Sequence, residues 1–119
     1  MANVFTTLGK NFMLDALAGE ITHISLHDDD PGTNGANELT GGSPAYARKA
    51  PTYDSASNGE VDITTGLAFD VPASSEVAWV GFWADTDFVA KAALSTSEVF
   101  GAQGTFTLTS AKLKVSDPA

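Results

Sequence analysis

The chain has 119 residues, 43% of them hydrophobic and 18% charged, and it holds no cysteine. This is ordinary material for one globular domain that buries roughly 65% of its unfolded surface, and it excludes a disulfide framework or a thiolate metal site. A net charge of −9, with only Lys10, Arg48, Lys49, Lys91, Lys112 and Lys114 as basic residues, argues against nucleic acid or an anionic membrane as partner, since both need clustered positive charge.

Residues 3–19 carry the helical signal. Val4, Phe5, Leu8, Phe12, Leu14 and Leu17 recur near helical spacing, with Asn3 placed to cap the start and Gly19 to end it. Such a stripe must bury its face on the chain's own sheet or on a neighbouring subunit, so Phe5, Leu8 and Phe12 are candidate oligomer-interface residues. No apolar run reaches the ~18 residues of a membrane helix, and residues 1–20 show no charged region or cleavage pattern of an export signal.

From Ile21 the pattern becomes β. Ile21, Ile24 and Leu26 mark a first strand, and 46–53 reads as a second extended run in which Pro51 favours a sheet edge. Asn58-Gly59 is a turn, 60–63 and 67–71 alternate, and 72–75 turns again. Residues 76–84 are apolar on both faces: Val77, Trp79 and Trp83 point one way, Ala78, Val80 and Phe82 the other. The core covers one face, so the helix or another subunit is expected over the second, which adds Trp79 and Trp83 to the candidate interface. An acidic turn at 85–87, a strand at 88–94, a Gly-flexed link at 100–104 and runs at 105–109 and 112–115 follow, with 117–119 as a tail. Short strands with frequent turns predict a single mainly β domain over 1–119, a sandwich or jelly-roll-like barrel with one N-terminal helix.

The most shaped stretch is the loop at 28–44. Pro31 fixes φ there while Gly32, Gly35, Gly41 and Gly42 permit positive φ. Arg48, the only arginine, follows directly and is expected to reach back to Asp30 or Glu38 with a bidentate bond that clamps the loop. Asp28, Asp30 and Glu38 are weak calcium ligand candidates, because the order of an EF-hand is absent; no cofactor is expected. His23 and His27 share a strand face ~13 Å apart, too far to hold one metal. There is no G-x-S-x-G elbow, P-loop or dinucleotide fingerprint, and the carboxylates Asp85 and Asp87 sit in a tight turn with no cleft. No catalytic residue is assigned, and a non-enzymatic role is expected.

The string S-L-H-x-x-D-P-G-x-x-G-x-N-E-x-x-G-G-S-x-A-Y-A-R over 25–48, with Val80-Gly81-Phe82-Trp83 and 100–108, resembles a family of small virion proteins of tailed bacteriophages, especially those of actinobacteria. The family is described as minor tail or tail-fibre-associated. The resemblance implies a structural virion component, assembled in the host cytoplasm, that self-associates (a trimer is favoured) and docks on other phage virion proteins. A capsid decoration or head-fibre protein is one alternative. A carbohydrate-binding host-adhesion module using Trp79 or Trp83 is the other.

Overall fold

A computed structural model describes residues 3–117, so Pro118 and Ala119 of the expected tail lie outside the described residues. The chain is mainly β with one N-terminal helix. Helix α1 (Thr7–Glu20) precedes β1 (His23–His27), β2 (Glu60–Val61), β3 (Leu67–Val71), β4 (Ser75–Ala84), β5 (Asp87–Phe100), β6 (Gly104–Leu108) and β7 (Leu113–Lys114). All the sheets are antiparallel: β1-β4-β5, β2-β7 and β3-β6.

Two of these sheets are one object. Leu67 pairs with Leu108, Val71 with Gly104 and Ser75 with Phe100, a single uninterrupted register. Residues 67–108 therefore form one long hairpin, bent where Pro72 and Ser74 (φ 59°) on one arm lie across from 101–103 on the other. Its tip is the two-residue turn Asp85-Thr86, with Asp85 at φ 54°, a left-handed conformation that Asp tolerates better than most residues. Nearer the bend, residues 94–97 of β5 face the single residue Ala78, and Val89 is an extra residue between the Phe82–Ala90 and Trp83–Phe88 pairs. The hairpin suits an elongated molecule of 49 × 27 × 26 Å.

One apolar core joins the sheets. Ile24 and Leu26 of β1, Phe69 and Val71 of β3, Val77, Val80 and Phe82 of β4, Val61, Leu108 and Leu113 are all buried in it. Each such side chain contributes on the order of 2 kcal/mol of transfer free energy. Helix α1 adds buried Leu14, with Leu17 and Ala18 packed beside it. Asn11 and Asp15 tie the helix to the neighbouring turn by accepting bonds from Gly59 N (2.9 Å) and Ala56 N (2.7 Å).

Several expectations are corrected. The helix starts later than residue 3: Thr6, not Asn3, is its cap, with Oγ1 accepting from Gly9 N at 3.1 Å. Gly19 lies inside the helix, which runs on until Ile21 turns into the core. The run 46–53 forms no strand. Among the described residues it makes only the isolated bridges Ile24–Lys49 and Tyr53–Ile63, in keeping with the donor that Pro51 lacks. The largest correction concerns β4. At the Trp83 end its second face is covered by the chain's own 31–38 loop, and Trp79 stays half-buried.

Candidate functional site

Alternation along β1 sends Ile24 and Leu26 into the core and Ser25 and His27 to the opposite face, where both are fully buried. Cross-strand from Ser25 is Gly81, and a Cβ there would stand 2.5 Å from Ser25 Oγ and 2.7 Å from His27 Nε2. Glycine at 81 makes the room into which these polar groups fit.

Their hydrogen bonds leave one consistent assignment. Trp83 Nε1–H donates to Ser25 Oγ at 2.8 Å. His27 Nδ1 lies 2.7 Å from the carbonyl of Ala36, which can only accept, so Nδ1 carries the proton. Nε2 of the neutral ring then accepts from the Ser25 hydroxyl at 2.7 Å. Burial lowers the His27 pKa, against the opposing pull of the Ala36 carbonyl and Glu38. The pairing resembles a serine–histidine dyad, but Ser25 is fully enclosed and its oxygen already takes the Trp83 N–H. A substrate has no path to it.

The loop is clamped above this chain of bonds. Arg48 Nε and Nη2 donate to Glu38 Oε2 and Oε1 at 2.9 and 2.8 Å, a bidentate pair. Tyr46 OH donates to Glu38 Oε2 at 2.8 Å and accepts from Leu26 N at 2.9 Å. The guanidinium stacks 3.7 Å from the Trp83 ring centre, and Phe88 meets that ring edge-on at 5.1 Å. Gly35 (φ 79°) packs against the same indole, where a Cβ would come within 2.5 Å of Trp83 Cη2. Burial pushes the Glu38 pKa up, but the bonds from Arg48 and Tyr46 outweigh it and hold the carboxyl below its usual range. Burial, helped by the adjacent Glu38 carboxylate, raises the Tyr46 hydroxyl.

The residues singled out from sequence therefore divide. Arg48 pairs with Glu38 alone. Asp30 turns outward, its Oδ1 accepting from Gly32 N at 2.8 Å and from Lys91 Nζ at 2.6 Å, which lowers its pKa. Asp28, Asp30 and Glu38 are not brought together, and among the described residues no group of three or more His, Asp or Glu converges as a metal site would require. Trp83, expected at an interface, is 7% exposed and belongs to the interior. Trp79 is half-buried, with Lys91 Nζ 5.4 Å from its ring centre.

Sequence reading missed Asp62. Its Oδ1 accepts from Ile63 N and Ala111 N at 2.8 Å each, and its Oδ2 from Ser110 Oγ at 2.6 Å, fastening 110–111 beside β2. No local signal marks this, because Ser110 and Ala111 lie 48 and 49 residues away.

On the outside, α1 keeps an apolar ridge. Leu8 is 60% and Phe12 64% exposed, and Val4, Phe5 and Met13 extend the patch. The helix has thus seated its Leu14 side and left Leu8 and Phe12, with Phe5 just before its cap, to solvent. Among the described residues no helix is long and apolar enough to cross a membrane. Comparison of the chain with protein families, with curated proteins and with solved structures gives no match.

Proposed function

We propose that this chain is a non-enzymatic structural component of a tailed-phage virion, a minor tail protein that self-associates and docks on the particle. The observation that carries self-association is the exposed pair Leu8 and Phe12 on a helix whose other side is already packed, continued by exposed Val4 and Phe5 just ahead of its cap. Contiguous exposed apolar side chains of this size mark interaction surfaces. The phage assignment rests on the resemblance. In its favour, two stretches that carry the resemblance, 25–48 and 80–83, meet in space. Ser25, His27, Gly35, Glu38, Tyr46, Arg48, Gly81 and Trp83 form one contact network. Such a motif specifies a rigid loop and needs no bound ligand to do so.

The mass of the purified chain, measured by light scattering from about 1 to 200 µM, tests the reading. A trimer or larger closed assembly is expected, and loss of it in Leu8→Asp is required. A parent chain that stays monomeric throughout removes the self-association reading. Copy number in a particle separates tail from capsid: a handful to tens means tail, and hundreds means a decoration or head-fibre protein. The adhesion alternative retains only Trp79, because Trp83 is enclosed; quenching of Trp79 fluorescence by a host cell-wall glycan would favour it.

A further inference from the structure

The loop over Trp83 is fastened at few points. At its foot Asp28 N donates to the Asn37 carbonyl at 3.1 Å and Leu39 N to the Leu26 carbonyl at 3.0 Å, beside the Arg48–Glu38 clamp. Beyond the foot it bonds to itself: Gly35 N and Ala36 N both donate to the Pro31 carbonyl, and Gly32 N donates to Asp30 Oδ1. Among the described residues, 29–36 makes two hydrogen bonds to anything past its own foot. One is the exposed pair of Lys91 Nζ with Asp30; the other is the buried bond from His27 Nδ1 to the Ala36 carbonyl. Buried Pro31, and Gly35 against the Trp83 indole, add packing. Along β5 the loop is not sealed, and a cavity of about 310 Å³ separates Gly32 and Thr33 from Phe88–Lys91. This is a short flap on a clamped hinge.

Beneath it, His27 has no place for a second proton. Nδ1–H is spent on Ala36, and Nε2 accepts from Ser25, whose Oγ already takes the Trp83 N–H. A proton on Nε2 would face the serine as a donor. The Ser25 hydroxyl would then lose its acceptor, in a space that Gly81 leaves just wide enough for these groups. The charge itself fares no better. Strands β4 and β5 offer the ring Gly81, Trp83 and Phe88, none of them ionisable. From the loop side, both Glu38 oxygens are taken by Arg48 and the neutral Tyr46, the Arg48 guanidinium repels, and Asp28 lies exposed. The far face of the sheet is core, so water comes to a charged ring from the flap side.

We propose that residues 29–36 are an acid-released flap: protonation of His27 lifts them and uncovers the Trp83 indole, while the clamp and the core stay in place. The device stands apart from the virion reading. With the flap open, His27 titrates near its ordinary value of 6.5; with it shut, burial lowers that value. As pH falls below 6.5 the open form therefore gains, by up to about tenfold per pH unit, until the pKa of the enclosed ring is reached.

Solvent exchange of the Trp83 indole N–H tests it by NMR, with the β3 amides of the core hairpin as the reference. Relative to free indole at each pH, protection is expected to fall by up to about tenfold per unit below pH 6.5. Because the opening is local, indole exchange should hardly respond to low urea, whereas β3 exchange should rise steeply. If the indole N–H shares the protection and urea response of β3, only global unfolding releases it, and the proposal is overturned. Protection that stays level in acid overturns it equally. In His27→Gln the acid response is expected to vanish; its persistence would mean that another group is the trigger, against the proposal. Gly35→Ala, whose Cβ strikes the indole, is expected to give at neutral pH the low protection that the parent shows in acid. Parent-like protection there would mean that the loop is not the gate.

Discussion

Glu38 serves three masters: it holds the two guanidinium nitrogens of Arg48 and the hydroxyl of Tyr46, and through Tyr46 it reaches the backbone N–H of Leu26. Removing one member strands the others in a place with little water, where an unpaired polar group costs roughly 1–3 kcal/mol. Glu38→Gln should cost about 2 kcal/mol in urea denaturation. Arg48→Lys should cost nearly as much, because a lysine supplies neither the two-pronged bond nor the planar stack on Trp83. If Arg48→Lys and Arg48→Ala both unfold at the parent's urea midpoint, the clamp is ornamental. His27 and Glu38 also set how the fold responds to acid. The His27 pKa is lowered from 6.5, so below that pH the unfolded chain binds a proton that the folded chain refuses. Its contribution is whole above about pH 6.5 and falls as pH drops toward the folded pKa. Glu38, lowered from 4.5, adds a second loss with the same sign below that value. Stability measured at pH 8, 6 and 5 should therefore decline stepwise. The first decline should flatten in His27→Asn, and a parent curve level from pH 8 to 5 would contradict the assignment.

The helix divides along its length into a packed side and an open one. Leu14→Ala should cost 2–5 kcal/mol, roughly the range for emptying a buried leucine site. Phe12→Ser, on the open side, should shift monomer stability by less than about 0.5 kcal/mol while changing association. Equal losses at the two positions would mean that the ridge is packed in solution. How much of this was legible depended on where each partner lay. The apolar stripe of α1, the alternation of β1 and β3 and the turn at 85–86 show in the sequence because their signals are local. The Arg48–Glu38 bond was legible too, since a lone arginine sits ten residues from a carboxylate in a shaped loop. Trp83 was misassigned because a strand apolar on both faces announces a cover without naming it, and the cover here comes from some fifty residues upstream. Asp62 gave no warning for the same reason. Asn3 lost the cap to Thr6, a competitor of the same chemistry three residues further on.

Across the whole molecule the charge is lopsided, and association should answer to salt. At 10 mM ionic strength the Debye length is ~30 Å and a body with fifteen carboxylates repels its copies at the scale of its own width; at 150 mM it is ~8 Å. Assembly should therefore strengthen across that range, as read by sedimentation. Weakening would mean that ion pairs, and not apolar burial, hold the copies together. The long hairpin has a consequence of another kind, in time. Its arms are joined by two residues, and hairpins of this sort zip from the turn within ~1–10 µs, whereas β1 must find β4 across a chain separation such as His23 to Trp83. Replacing Asp85 with valine, which resists its left-handed φ, should then slow refolding more than it speeds unfolding, while Arg48→Ala should do the reverse in the same chevron plots. Until β1 arrives, β4 offers a nascent chain's neighbours a bare template of valine, phenylalanine and tryptophan. Slower closure of residues 23–27 over it should leave more of the refolding chain to aggregate, which turbidity would report.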